Sequence, residues 1–272
     1  MSEEMNFKGK VVVVTGSTRG IGFRTAELLA SRGASVVINS RKKKNVEKST
    51  SRLRRKGLSV LGVPGDVSDY RFCEQLRKAV IDRFGRIDFL INNAALSSKG
   101  LLSETRPEVF RMIYDVNVFG SLYPSLCMMD DIRNAKGGVL FISSLAGITG
   151  LPSYSIYSST KSSIIKLAES LRLELADDEV FVGVNYPGFT ENDPSKTTIG
   201  FSGEEKLLTK RTDVKVEPLD KTVGAIIRQL EKRKFRSFSS LRGLIFYNLH
   251  NLFPELVYLV LKLNRRKIIA ME

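Results

Sequence analysis

The chain has 272 residues, 42% of them apolar and 26% charged, which is the composition of a soluble globular protein long enough to bury a sizeable core. Lys and Arg number 43 against 29 Asp and Glu, a net charge of +14 that favours polyanions, anionic surfaces or acidic partners and says nothing about fold. The only cysteines are Cys73 and Cys127, outside any CxxC or metal-ligand spacing, and the one histidine, His250, cannot build a multi-histidine metal site, so no metal is expected.

The opening Met-Ser-Glu-Glu shows no basic region followed by an apolar run, so no signal peptide is expected. Short apolar runs then alternate with helical patterns, the signature of stacked βαβ units around a parallel sheet. Strands are expected at 11–14, 35–39, 60–63, 89–92, 139–142 and 180–185. Helices are expected at 21–30, closed by Gly33, and at 69–84, 117–134, 154–176 and 218–232. Pro124 inside the third of these demands a kink or a different start. Residues 189–216 carry no clear periodicity and read as a long functional loop. With no repeat or low-complexity linker, the expectation is one domain across 1–272, a doubly wound α/β fold of Rossmann type with a C-terminal helical extension.

The first strand runs into Thr15-Gly16-Ser17-Thr18-Arg19-Gly20-Ile21-Gly22 and then a helix. A turn of this kind lets backbone approach a pyrophosphate and aims a helix N-terminus at it. The spacing is G-xxx-G-x-G, not the general G-x-G-xx-G fingerprint. Further along stand Asp66-Val67, Asn92-Asn93-Ala94-Ala95, Asn117, Ser144, Tyr157-Ser158-Ser159-Thr160-Lys161 and Pro187-Gly188. In this order, over roughly residues 8–190, these motifs resemble the short-chain dehydrogenase/reductase family, Ala95 standing where the family has Gly.

The resemblance implies a nicotinamide dinucleotide held by Gly16, Ser17, Thr18, Arg19, Gly20, Ile21, Gly22, Ser40, Arg41, Asp66, Val67, Asn93, Ala94, Tyr157, Lys161, Pro187, Gly188 and Thr190. It also implies a catalytic set of Asn117, Ser144, Tyr157 and Lys161. Residues four apart share one helix face, so the Lys161 ammonium sits near the Tyr157 phenol. A nearby positive charge favours a phenolate, which prepares a tyrosine for acid/base work. Ser144 would hold the substrate oxygen, with Ser143 as the alternative, and Asn117 a water beside the lysine. The second strand ends in Asn39-Ser40-Arg41 without a carboxylate. Arg41 and Arg19 therefore favour the 2′-phosphate of NADP(H).

The tail, residues 241–267, is apolar between basic clusters and broken by Asn248, His250, Asn251, Pro254 and Glu255. A membrane span needs ~20 predominantly apolar residues, and those breaks argue against one. Two readings stand: helices packed over the substrate cleft or a partner subunit, or an interfacial segment touching a membrane. The resulting expectation is a cytoplasmic homodimer or homotetramer, with peripheral membrane contact left open. It would reduce an apolar or 3-oxoacyl carbonyl, carried or not on an acidic protein, and bind no specific nucleic acid.

Overall fold

A computed structural model describes residues 7–191, 193–208 and 216–270. The Met-Ser-Glu-Glu start and residues 192 and 209–215 of the long loop lie outside the described residues.

Among the described residues, nine strands and nine α-helices follow one another: β1 (Val11–Val14), α1 (Gly20–Ser31), β2 (Ser35–Ser40), α2 (Lys43–Arg54), β3 (Val60–Pro64), α3 (Tyr70–Phe84), β4 (Phe89–Asn92), α4 (Pro107–Tyr114), α5 (Gly120–Asn134), β5 (Gly138–Ile142), α6 (Ser155–Glu174), β6 (Phe181–Tyr186), β7 (Thr197–Ile199), β8 (Glu205–Leu207), α7 (Leu219–Lys232), β9 (Arg236–Phe238), α8 (Leu241–Leu252) and α9 (Pro254–Ala270). Seven strands form one parallel sheet in the order β3-β2-β1-β4-β5-β6-β9. The order reverses between β1 and β4, and in such sheets ligands sit at the carboxyl ends beside that switch point.

The unbroken Val11–Val14 run reflects burial on both faces. Side chains alternate, so Val12 and Val14 pack with Leu29, Val36, Ile38, Ile226 and Leu230 on the side of α1 and α7. Val11 and Val13 pack with Leu76, Val80, Met128, Ile132 and Ile165 on the side of α3, α5 and α6. Gly33 closes α1 as the sequence predicts. Its φ is +90°, its N–H donates to Ala30 O at 3.0 Å, and Ala34 N–H donates to Leu29 O at 3.1 Å, the paired bonds of a left-handed helix stop.

The expected helix at 117–134 differs. Residues Asp115–Phe119 form a π turn, and α5 starts only at Gly120. Pro124 thus stands inside α5, one turn after the π segment, so the departure from regular helix falls just ahead of it. The 189–216 stretch is not featureless either, since β7 and β8 form an antiparallel pair within it.

Asp88 fixes the approach to β4. Its fully buried carboxylate accepts from Lys10 Nζ (2.9 Å), Val11 N–H (2.9 Å), Arg86 Nε (2.9 Å) and Arg86 Nη2 (2.6 Å). Removing it strips two cations and a strand amide of their acceptor at once. Asp88→Ala is expected to lower the unfolding free energy by about 3 kcal/mol, measured by urea titration.

Candidate active site

The carboxyl ends of β1 and β4 are stitched together by Thr15 and Asn93. Thr15 Oγ1 accepts from Asn93 N–H and Ala94 N–H, both at 3.0 Å. Asn93 Nδ2 donates back to Thr15 O (2.9 Å) and Gly16 O (3.0 Å). Gly16 has φ +60°, and a Cβ there would lie 2.7 Å from Ala94 Cα. A Cβ on Gly22 would lie 2.4 Å from Asn93 Nδ2. These two glycines let the turns and the start of α1 touch. Gly20, at φ +56°, instead has open space where a Cβ would be. Arg19 caps α1 without a side-chain hydrogen bond, and the first turn carries no acid. The positive helix end therefore meets a cavity wall of Gly16, Thr18, Arg19, Gly20, Ile21 and Gly22, a donor set that fits a pyrophosphate.

Ser17 is placed differently from the sequence expectation. Its hydroxyl donates to Val14 O (2.6 Å) and accepts from Asn39 N–H (3.0 Å). It is fully buried, joins the turn to β2, and lies off the cavity wall. Ser40, Arg41, Asp66, Val67, Asn93 and Ala94 do line the cavity. Arg41 Nη1 stands 3.9 Å from Asp66 Oδ2, and both side chains are partly exposed. Arg19 lines the same wall but reaches to the other side, its Nη1 donating to Ser195 O. The two arginines thus flank the glycine turn, and Arg19 also straps it to the segment before β7.

At the other end of the cavity stand Ser144, Tyr157, Lys161, Pro187, Gly188 and Thr190. Ser143 and Ser144 separate as the alternation of a strand end requires. Both border the cavity, but Ser143 is buried with its hydroxyl donated to Lys161 O at 2.9 Å, whereas the Ser144 hydroxyl accepts from Ala146 N–H at 3.2 Å. Lys161 Nζ donates to Ile142 O at 2.8 Å and lies 5.8 Å from the centroid of the Tyr157 ring. Burial, then the charge of Lys196, pushes the Lys161 ammonium down to about 7.

Asn117 lies behind the wall rather than on it. Its side chain accepts from Leu96 N–H (2.7 Å) and donates to Leu96 O and Thr160 Oγ1 (both 3.0 Å). In this arrangement it is a positioning residue, tying the turn after β4 to the helix that carries Lys161. The π turn is the local backbone that places it there.

The cavity measures about 860 Å³. Its apolar end is closed by Phe246 on α8 and by Leu261 and Ile268 on α9. Part of the tail therefore lines the cleft, as one of its two readings expects. Sequence reasoning missed Thr15 and Lys196 as parts of the site, and it expected tail helices over the cleft without naming Phe246, Leu261 or Ile268. Thr15 had a signal, since it directly precedes Gly16, whereas Lys196 sits in a stretch without periodicity.

Lys161 gives the site a pH signature in stability. The folded chain holds that proton less tightly than the unfolded chain, whose lysine keeps the ordinary 10.5. Between pH about 7 and 10.5 the unfolded state binds the extra proton, so stability from this group rises with pH. Measured by urea unfolding, wild type is expected to gain on Lys161→Met across that window; parallel profiles would contradict it.

The chain is similar to known proteins in sequence and in fold. A family model described as short chain dehydrogenase matches residues 10–199. An uncharacterized oxidoreductase of Thermotoga maritima is 34% identical over 210 residues, covering 76% of this chain and 83% of the relative. The human mitochondrial dehydrogenase/reductase SDR family member 2 is 35% identical over 199 residues, 73% of this chain and 70% of that one. An 11-beta-hydroxysteroid dehydrogenase-like protein of Arabidopsis thaliana is 34% identical over 69% of this chain, which spans only 61% of that relative. Among solved structures, a Burkholderia phymatum short-chain dehydrogenase/reductase in complex with NAD has the same fold, with TM-score 0.80 and 22% identity over 93% of this chain and 96% of that one. An NAD+-bound xylitol dehydrogenase superposes with TM-score 0.67 and 28% identity over 70% of this chain and 74% of that one. The chain belongs to the short-chain dehydrogenase/reductase family.

Proposed function

We propose that this chain, acting as one domain, uses NADP(H) to interconvert a ketone and a secondary alcohol, with reduction of an apolar carbonyl as its principal direction. The observation that carries the reading is one cavity lined by Ser144, Tyr157 and Lys161 together with apolar residues Phe246, Leu261 and Ile268. A bound nicotinamide supplies the hydride. Tyr157 gives its phenolic proton to the carbonyl oxygen, and the Ser144 hydroxyl donates a hydrogen bond to the same oxygen as charge develops. Lys161 supplies positive charge beside the phenol and holds its helix against β5.

The preference for NADP(H) rests on the end of β2. No carboxylate stands there to accept from a ribose hydroxyl: the strand ends in Asn39 and Ser40, and Asn39 is buried with Nδ2 donating to Val63 O (3.0 Å) and Gly65 O (3.2 Å). Arg41 instead offers a guanidinium on the cavity wall. The solved relatives named above hold NAD, so the selectivity is this chain's own feature to test. An apolar substrate suits the cavity's helical cover, and an acyl thioester on an acidic carrier suits the net charge of +14. A cytoplasmic homodimer or homotetramer completes the proposal.

The experiment is NADPH oxidation over acetoacetyl thioesters, ketosphinganine, steroid ketones and quinones. Turnover of at least one compound is expected, falling at least about 100-fold in Tyr157→Phe with NADPH affinity retained. NADPH binding with equal inactivity of both proteins on every compound would instead indicate a cofactor-binding regulatory protein. In Arg41→Ala, the Kd for NADPH is expected to rise about tenfold and that for NADH to change little, by fluorescence titration.

A further inference from the structure

The outer face of α8 and α9 has no counterpart in the rest of the fold. Within the two helices only Gly243 and Val257 are buried. Leu252 is 70% exposed, Leu263 73% and Tyr258 61%, and Leu244, Ile245, Leu249, Leu256, Leu259 and Val260 are exposed beside them. This far exceeds the scattered apolar residues of an ordinary surface. No single helix among the described residues is long and apolar enough to cross a membrane. The pair reaches that length and composition only across a 115° bend. Such a bent, partly exposed pair suits the plane of a lipid surface better than a span through it.

Two observations name what covers this face. The first is charge. Exposed Arg236 and Arg242 precede the apolar stretch, exposed Lys262, Arg265, Arg266 and Lys267 follow it, and Glu255 is the one acid between Leu241 and Ala270. Basic groups flanking exposed apolar side chains match an anionic lipid headgroup layer over acyl chains. The second is continuity with the cavity. Leu261 and Ile268 line the cavity, while Leu259, Val260, Leu263 and Ile269 on the same helix are exposed outward. One helix is therefore the whole thickness of the wall there. Phe189, on the cavity wall, is itself exposed.

We propose that α8 and α9 dock on an anionic lipid surface, and that the cavity takes its apolar carbonyl substrate from that surface. The first half stands on the helices alone, and the second rests on the catalytic reading above.

The test uses the full chain with vesicles of neutral phosphatidylcholine, or the same lipid with about one third phosphatidylserine, in a flotation assay. Binding is expected to be at least about tenfold tighter to the anionic vesicles and to weaken in 0.5 M salt. Leu252→Asp with Leu263→Asp is expected to abolish binding, while the thermal melting point and NADPH affinity stay unchanged. Arg265→Glu with Arg266→Glu, an independent variant, is expected to reduce anionic binding at least about tenfold. Failure of wild type to float with either vesicle would overturn the proposal. So would lipid-free dimerisation that the Leu252/Leu263 variant abolishes in a protein that ignores vesicles, since the face would then belong to a second copy. Vesicle binding needs no turnover, so a failed carbonyl screen leaves this result standing, and the reverse.

Discussion

A lysine ammonium buried at the end of β5 organises the catalytic end of this molecule. Taking a cation out of water is expensive, and Lys161 is 3% exposed. Its Nζ hydrogen bond to Ile142 O repays part of that cost and fastens α6 to the sheet. Ser143 adds a second fastening through Lys161 O. Gly147 is required for the second, because a Cβ there would lie 2.8 Å from Ser143 Oγ and 2.9 Å from Lys161 O. With α6 held so, Tyr157 comes one turn before the lysine on the cavity side, and Ser144 follows the strand end on the same wall. The phenol, the hydroxyl and the cation are placed by the same few contacts.

The remainder of the cavity is divided by chemistry. The β1–β4 switch point supplies glycines, amides and two guanidinium groups, which suit phosphate. The C-terminal helices supply Phe246, Leu261 and Ile268, which suit an apolar ligand. Ser144, Tyr157 and Lys161, the proposed catalytic groups, line the same cavity. The phosphate-suited wall thus belongs to the sheet, and the apolar wall to segments that follow it.

The sheet was legible because its residues are buried on both faces and its helices alternate with it. The runs at 11–14 and 89–92 match β1 and β4 residue for residue. What escaped was short or polar. Helix α2, Lys43–Arg54, is charged at half of its positions, and α4 has only eight residues. Strand β9 has three residues and exists because β6 offers an edge to pair with, a property of the assembled sheet. The motifs located the site, but residue type did not disclose side-chain direction. Ser17 belongs to the glycine turn by sequence and to the interior by structure, because its hydroxyl satisfies Val14 O and Asn39 N–H. Asn117 similarly spends its amide on Leu96 and Thr160, a pairing visible only once the π turn is formed.

The central claim is that this cavity delivers a hydride to a carbonyl carbon while Tyr157 protonates the oxygen. The most direct measurement is a single turnover with NADPH deuterated at the transferring C4 position and a ketone that the protein accepts, analysed by mass spectrometry and NMR. The account predicts deuterium on the carbinol carbon of the product in wild type and none above background in Tyr157→Phe. Equal deuterium in the two proteins, or product free of deuterium in wild type, would contradict it.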